Sequence, residues 1–375
     1  MKYRICTRQV CFIMFAYSAA GKILMMPALL SYYCKNDLLF PALFLLAAQT
    51  AVVWAVAFAC SKTHKTFFEL AQDAFGAVFS KILMWLFAAF FAAAALLPML
   101  EQKLFVQAIF YDTIPSLITF LPFFILAVYV AAKGMRNAGR VADIAAPLFI
   151  AALAAIGIMS LGESDMSWLL PVLKTPASGL LGGARFALYN FTDGAVMLML
   201  MGRFEYRKGD CTKITLSYAL SALVVLIFLA VFYSVFSVLA PDQYFAVSKI
   251  AIFFSALSLV GRVDLVAVYA MEICMLFALI FYLQLSVTCV CGALDKEQTV
   301  GRTVRPAAAV ISVVLNAVLL ALVLVFNNKY LVVQEFYGRI MWAVYVLFAF
   351  ALPPLVWALV KISSLRAGKA AGDNL

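Results

Sequence analysis

The sequence predicts an all-α integral membrane protein with ten transmembrane helices in two inverted five-helix repeats, the first and sixth helices being broken. Three observations carry this reading. Of the 375 residues, 66% are hydrophobic and 12% charged, and the mean hydropathy is +1.04; a soluble domain carries about a quarter charged residues because its surface meets water. The apolar residues fall into ten runs, each long enough for the ~30 Å hydrocarbon layer at ~1.5 Å of rise per residue. Lys and Arg alternate in density from one connection to the next, as the positive-inside rule requires.

The runs are Val10–Tyr33, Leu38–Cys60, Ile82–Leu100, Leu117–Ala132, Ile144–Leu161, Gly179–Met201, Ile214–Leu239, Val263–Cys289, Ala307–Phe326 and Ile340–Val360. No polar stretch between them is long enough to bury a core of its own. Thr66–Ser80 has apolar residues at helical spacing and reads as an interfacial helix. Tyr244–Leu259 is apolar but short of another span, so it is expected to lie at the outer surface or dip back in. Three basic residues precede the first run, which is much longer than a signal-peptide core and lacks a small-residue cleavage site. That run is therefore expected to remain as a span.

With a cytoplasmic N-terminus, 19 of the 28 basic residues fall into six consecutive cytoplasmic segments, from Lys2, Arg4 and Arg8 to Lys361, Arg366 and Lys369. Both termini are then cytoplasmic. The net charge of +10 is a consequence of topology and not a nucleic-acid footprint. One miscounted span would have inverted every later connection.

Five is odd, so the second half crosses in the opposite sense from the first, which makes an inverted repeat. A single domain spans 1–375, with repeat one at about 1–165 and repeat two at about 175–365. Ser18–Lys22 (SAAGK) interrupts the first helix, and Asn190–Gly194 (NFTDG) interrupts the sixth. Paired Gly-interrupted helices point to a midplane binding site. Unwound backbone survives in a membrane only where protein or a water-filled cavity satisfies it. Freed N–H groups suit a carboxylate and freed carbonyls an ammonium, so an amino-acid zwitterion is a natural guest.

Ionisable residues inside the runs are costly and are candidates for function. Lys22 lies at the first break, Asp193 at the second, and Glu272 inside the eighth run, about 15 Å along a helix from Arg262. Lys22 and Asp193 are expected to meet across the repeat interface, with Glu272 lining the same cavity. Two readings of each stand here: a group that faces a ligand, or an ion pair that pins two helices. The candidate site comprises Ala20, Gly21, Lys22, Tyr189, Asn190, Phe191, Thr192, Asp193, Gly194 and Glu272. Arg262 and Asp264 read as an outer gate or as an interfacial anchor.

Other marked residues have plainer readings. Glu101 and Lys103, after Pro98, are expected to be solvated at the outer end of the third span, and Asp143 to pair with Arg140. Gly182-Gly183 suits close helix contact. Of the eight cysteines only Cys34 is expected to face outside, which gives no disulfide framework. Cys289-Val290-Cys291 lacks the partners of a metal site. The single histidine, His64, falls in a cytoplasmic loop, so neither a His-based metal site nor Ser-His catalysis fits within the membrane. No enzyme chemistry and no cofactor is implied.

The order of these features resembles the spore germination permease family, the B-type subunits of nutrient germinant receptors, within the amino acid–polyamine–organocation superfamily. The resemblance rests on Ala20-Gly21 with Met26-Pro27, the Gly134–Arg140 segment (GMRNAGR), Phe186–Gly194 (FALYNFTDG), and Tyr244-Phe245-Ala246-Val247 leading to Gly261-Arg262-Val263-Asp264. It covers nearly the whole chain. It implies a LeuT-like fold whose midplane pocket, around Ala20–Lys22 and Asn190–Gly194, holds an amino acid or similar small nutrient. It also implies partnership with a membrane-anchored A-type subunit and a lipoprotein C-type subunit in the spore inner membrane. A proton- or sodium-coupled amino-acid transporter of the same superfamily, in a cell membrane, is the alternative. Lys22 departs from the family pattern, in which a small uncharged residue is expected. It stands either in the place of a coupling cation or as a partner for a ligand carboxylate.

Overall fold

The structure, a computed structural model, describes residues 5–110, 116–160, 162–253, 264–295, 299–300, 303–304 and 306–363. It is helical apart from one hairpin of two-residue strands, β1 (Thr299–Val300) and β2 (Thr303–Val304). In chain order the first half holds α1 (Thr7–Lys22), α2 (Met26–Cys34), α3 (Leu39–Cys60), α4 (Phe67–Phe75), α5 (Ala77–Phe110), α6 (Ser116–Ala132) and α7 (Met135–Ser160). The second holds α8 (Ala177–Ala187), α9 (Asp193–Leu200), α10 (Asp210–Phe236), α11 (Ala246–Phe253), α12 (Asp264–Ala293) and α13 (Pro306–Val325). A final long helix follows from Tyr330 to Ser363.

Seven of these helices are long and apolar enough to cross a membrane alone, and the pair α1–α2, bent by 53°, makes an eighth. The apolar stretch Phe120–Ala132 of α6 is shorter, and α8 and α9 are separated by a break. The last helix, expected from Ile340, begins ten residues earlier and passes through two π-helical turns, Tyr337–Met341 and Val346–Ala351. Such turns widen a helix locally and recur at functional sites.

The first break differs from expectation. Gly21 and Lys22 remain helical, and the interruption falls at Ile23–Met25. Pro27 explains the shift: its ring disfavours helical geometry in the residues just before it, yet fits the first turn of α2. The predicted Thr66–Ser80 helix is likewise divided. Thr66 caps α4 in a reciprocal box with Glu69, and Gly76, at φ +87°, turns the chain into α5.

All of α9 is buried, as is most of α1, and α12 packs extensively against α5 and α7. The outer faces carry exposed Phe44, Trp54, Ile125, Ile158, Leu216 and Val313, the apolar coat a bilayer requires. Lipid tails are as apolar as leucine, so packing and interhelical hydrogen bonds must hold the helices together. Four serines supply such bonds. Ser217 donates to Cys11 O (2.8 Å), Ser221 to Phe15 O (3.1 Å), Ser286 to Ala88 O (2.9 Å) and Ser312 to Val128 O (2.7 Å). Each contributes on the order of 0.6 kcal/mol.

Candidate functional site

Both breaks are stitched by neighbouring elements. At the first, the Leu24 carbonyl, which lacks a helical partner, accepts the backbone N–H of Ala246 at 3.0 Å. At the second, α8 tightens into a 3₁₀ turn at Leu188–Asn190, and Phe191 and Thr192 lead into α9. Gln49 of α3 spans this gap. Its side-chain oxygen accepts the Gly194 N–H at 2.9 Å, and its amide donates to Ala349 O at 3.2 Å and more weakly to Phe191 O at 3.5 Å. Gly194 has no room for a side chain, since a Cβ there would lie 2.3 Å from Ala349 O and 2.5 Å from Val52 Cγ1. Its role is close packing against α3 and the last helix.

Lys22 and Asp193 face each other across the two breaks. Lys22 Nζ lies 2.8 Å from Asp193 Oδ2, and both side chains are shut off from solvent. Lys22 is the last residue of α1 and Asp193 the first of α9, so each charge sits at the helix end whose dipole favours it. Nζ also donates to Ser18 O (3.1 Å) and Ser18 Oγ (3.0 Å), which uses all three ammonium hydrogens. It stands 5.0 Å from the centre of the Phe191 ring. Tyr218 donates to Asp193 Oδ2 at 3.0 Å, while Oδ1 is buried without a hydrogen-bond partner. In this arrangement Lys22 has no donor left for a ligand carboxylate.

Beside this pair runs a chain of hydroxyls: Tyr17 to Thr192 at 2.6 Å and Thr192 to Tyr282 at 2.9 Å. Tyr17 and Tyr282 form part of the wall of a small cavity of about 30 Å³, together with Ala20 and Gly21 from the last turn of α1, Leu24 from the first break and Asn190 from the second. Of the sequence-predicted site residues, only Ala20, Gly21 and Asn190 line this cavity. Lys22, Tyr189, Phe191, Thr192, Asp193 and Gly194 are not part of its lining. Glu272 is set one side chain back, accepting a hydrogen bond from Gln102, which does line the cavity. At Gly21 a Cβ would meet nothing within 4 Å, so this glycine leaves space open.

A wider vestibule of about 680 Å³ has Met25, Tyr33, Arg185, Tyr244, Tyr330 and Arg339 among its lining residues. The cavity wall also holds Glu101, a residue expected to be solvated but only 2% exposed. α5 does not stop at Pro98 and carries Glu101 inward, where Oε1 accepts the hydroxyls of Tyr189 (2.7 Å) and Tyr330 (3.1 Å). Lys103 is buried for the same reason and donates to Asn327.

Cys34, expected outside, is buried against α8, where a Cβ on Gly183 would lie 2.3 Å from its sulfur. Asp143 pairs with Arg8 (3.2 Å) and accepts from Gln9 (2.8 Å), so it ties α7 to α1. Of the proposed gate, Arg262 lies outside the described residues, and Asp264 opens α12.

A family profile described as Spore germination protein matches residues 4–328, most of the chain. The chain belongs to the spore germination permease family. No curated protein matches it. As a member of that family with several apolar helices long enough to span, this permease is a germination-related, multi-pass membrane protein. The matched region of the permease includes both breaks, every residue lining the cavity, and Glu101 with Tyr189; Tyr330 lies just past it.

Proposed function

We propose that this spore germination permease is the ligand-binding subunit of a nutrient receptor, sensing an amino acid or similar small nutrient between the two helix breaks. One observation carries the reading. The last turn of α1 (Ala20, Gly21), the first break (Leu24) and the second (Asn190) face a single cavity, and the Glu101–Tyr330 contact joins its wall to that of a vestibule of ligand size. The cavity at about 30 Å³ has room for little more than one water, so binding requires it to expand. In this reading α1–α2 and α8–α9 act as the broken first and sixth of ten spans, in two inverted repeats over 1–165 and 175–365. Both termini are cytoplasmic, and the partners are the A-type and lipoprotein C-type subunits in the spore inner membrane.

The test is ligand-dependent thermal stabilisation of the purified protein across a panel of amino acids, sugars and nucleosides. A ligand that binds only the folded state raises the unfolding midpoint. Asn190→Ala should remove that rise and the matching germination response of spores. Gradient-driven accumulation of the same compound in proteoliposomes would instead mark a coupled transporter.

A further inference from the structure

Glu101 is the only acidic or basic residue, tyrosines aside, among the described residues lining the cavity. Lys22 does not reach the cavity and has every donor engaged, so no basic group there opposes the carboxylate. Tyr17 and Tyr282 add aromatic walls, which attract cations. Two phenol hydroxyls donate to the same oxygen of Glu101, the arrangement that suits a carboxylate. Tyr330 belongs to the vestibule wall and Glu101 to the cavity wall, so the hydrogen bond between them links the two walls. The rim charges of the vestibule are already engaged. Arg339 pairs with Glu335 at 2.6 Å, and Arg185 donates to Arg339 O at 3.1 Å while stacking over Trp342.

From this geometry we infer that Glu101 selects a ligand with a cationic head, an ammonium above all, and that its clasp with Tyr189 and Tyr330 is the barrier such a ligand opens. The ammonium replaces a phenol hydroxyl on the carboxylate, and the freed tyrosine swings away from the passage. This rests on reading the cavity as the ligand site, and it moves the ligand-facing charge away from the Lys22–Asp193 pair.

The experiment needs no native ligand. Gly21→Cys places a thiol in the cavity, at a position where a Cβ meets nothing within 4 Å. In lipid nanodiscs the protein is treated with aminoethyl methanethiosulfonate, a cation, or sulfonatoethyl methanethiosulfonate, an anion. Modification of residue 21 is followed by site-resolved mass spectrometry, with rates normalised to free cysteine. The cation should react faster, and Glu101→Gln should lower the cation-to-anion ratio roughly tenfold or more, as expected for removing a unit charge several ångströms away. Glu101→Asp should keep most of the preference, and Tyr330→Phe should speed both reagents while retaining it.

A ratio untouched by Glu101→Gln, or shifted equally by Glu101→Asp, overturns the charge assignment. Absence of any reaction at residue 21, even with Tyr330→Phe, overturns the clasp as the barrier. Charge selectivity with no nutrient response would indict the receptor reading alone. The converse would indict this inference alone.

Discussion

Lys22 Nζ lies 2.8 Å from Asp193 Oδ2, and the contact joins the end of α1 to the start of α9 with both charges fully withdrawn from solvent. Each charge answers the other, and removing one leaves its partner buried and uncompensated. Breaking a buried pair from one side costs about 3–5 kcal/mol, whereas neutralising both members is far milder. Lys22→Met and Asp193→Asn should each lower the thermal midpoint of the purified protein markedly. The double variant should recover much of that loss. A double variant whose loss equals the sum of the singles would show that the two charges do not stabilise one another. Asp193→Asn should also abolish the nutrient response while leaving membrane insertion intact.

Two glycines at the breaks should respond oppositely to the same change. Gly194→Ala drives a methyl group against the Ala349 carbonyl and Val52, and neither the backbone nor the packed α3 can yield. Little folded protein should survive detergent extraction, as read by size-exclusion chromatography. Gly21→Ala meets no atom within 4 Å, so folding should persist. Its methyl projects into a cavity of only about 30 Å³, so the nutrient response should fall or vanish. Equal yields for the two variants would contradict this assignment of crowded and open positions.

Gln49 carries both sides of the second break, accepting from Gly194 and donating to Ala349 and Phe191. Gln49→Leu leaves the Gly194 N–H and the Ala349 carbonyl without these partners in a dry interior. The expected cost is about 1–3 kcal/mol, the penalty of stranding a buried polar group. Gln49→Glu keeps an acceptor for the Gly194 N–H but loses the donor. Thermal unfolding should rank wild type above both variants; a Gln49→Leu midpoint equal to wild type would mean that another group takes over the stitch.

What could be read from the chain follows from how strongly each residue departs from an apolar background. Lys22 and Asp193 stand out because a charge in a hydrophobic run demands a reason. Gln49 carries no charge, and Tyr17, Tyr218 and Tyr282 are lost among 16 tyrosines until the fold shows which hydroxyls meet. Glu101 was misplaced because Pro98 suggested the end of a span. Proline is tolerated within a membrane helix where neighbouring groups satisfy the freed carbonyl, so α5 runs on to Phe110. The first break falls a turn later than Ser18–Lys22 because Pro27 acts on the residues just before it, whereas Gly21 stays helical. The π-helical turns of the last span left no signal, since its apolar pattern continues through them.

The proposed orientation makes a sidedness prediction that depends on two exposed loop positions. His64 lies between α3 and α4, and Glu163 between α7 and α8; both are exposed. If the density of Lys and Arg sets the topology, the first faces the cytoplasm and the second the outside. His64→Cys should react with a membrane-impermeant maleimide only in inside-out vesicles, and Glu163→Cys only in right-side-out ones. The added mass, counted above that of the native chain, separates these sites from the exposed Cys6. Labelling of both positions from the same side would require an odd change in the number of crossings between them. The inverted repeat would then fail, because it needs three crossings from α5 to α7 for the second half to start from the opposite face.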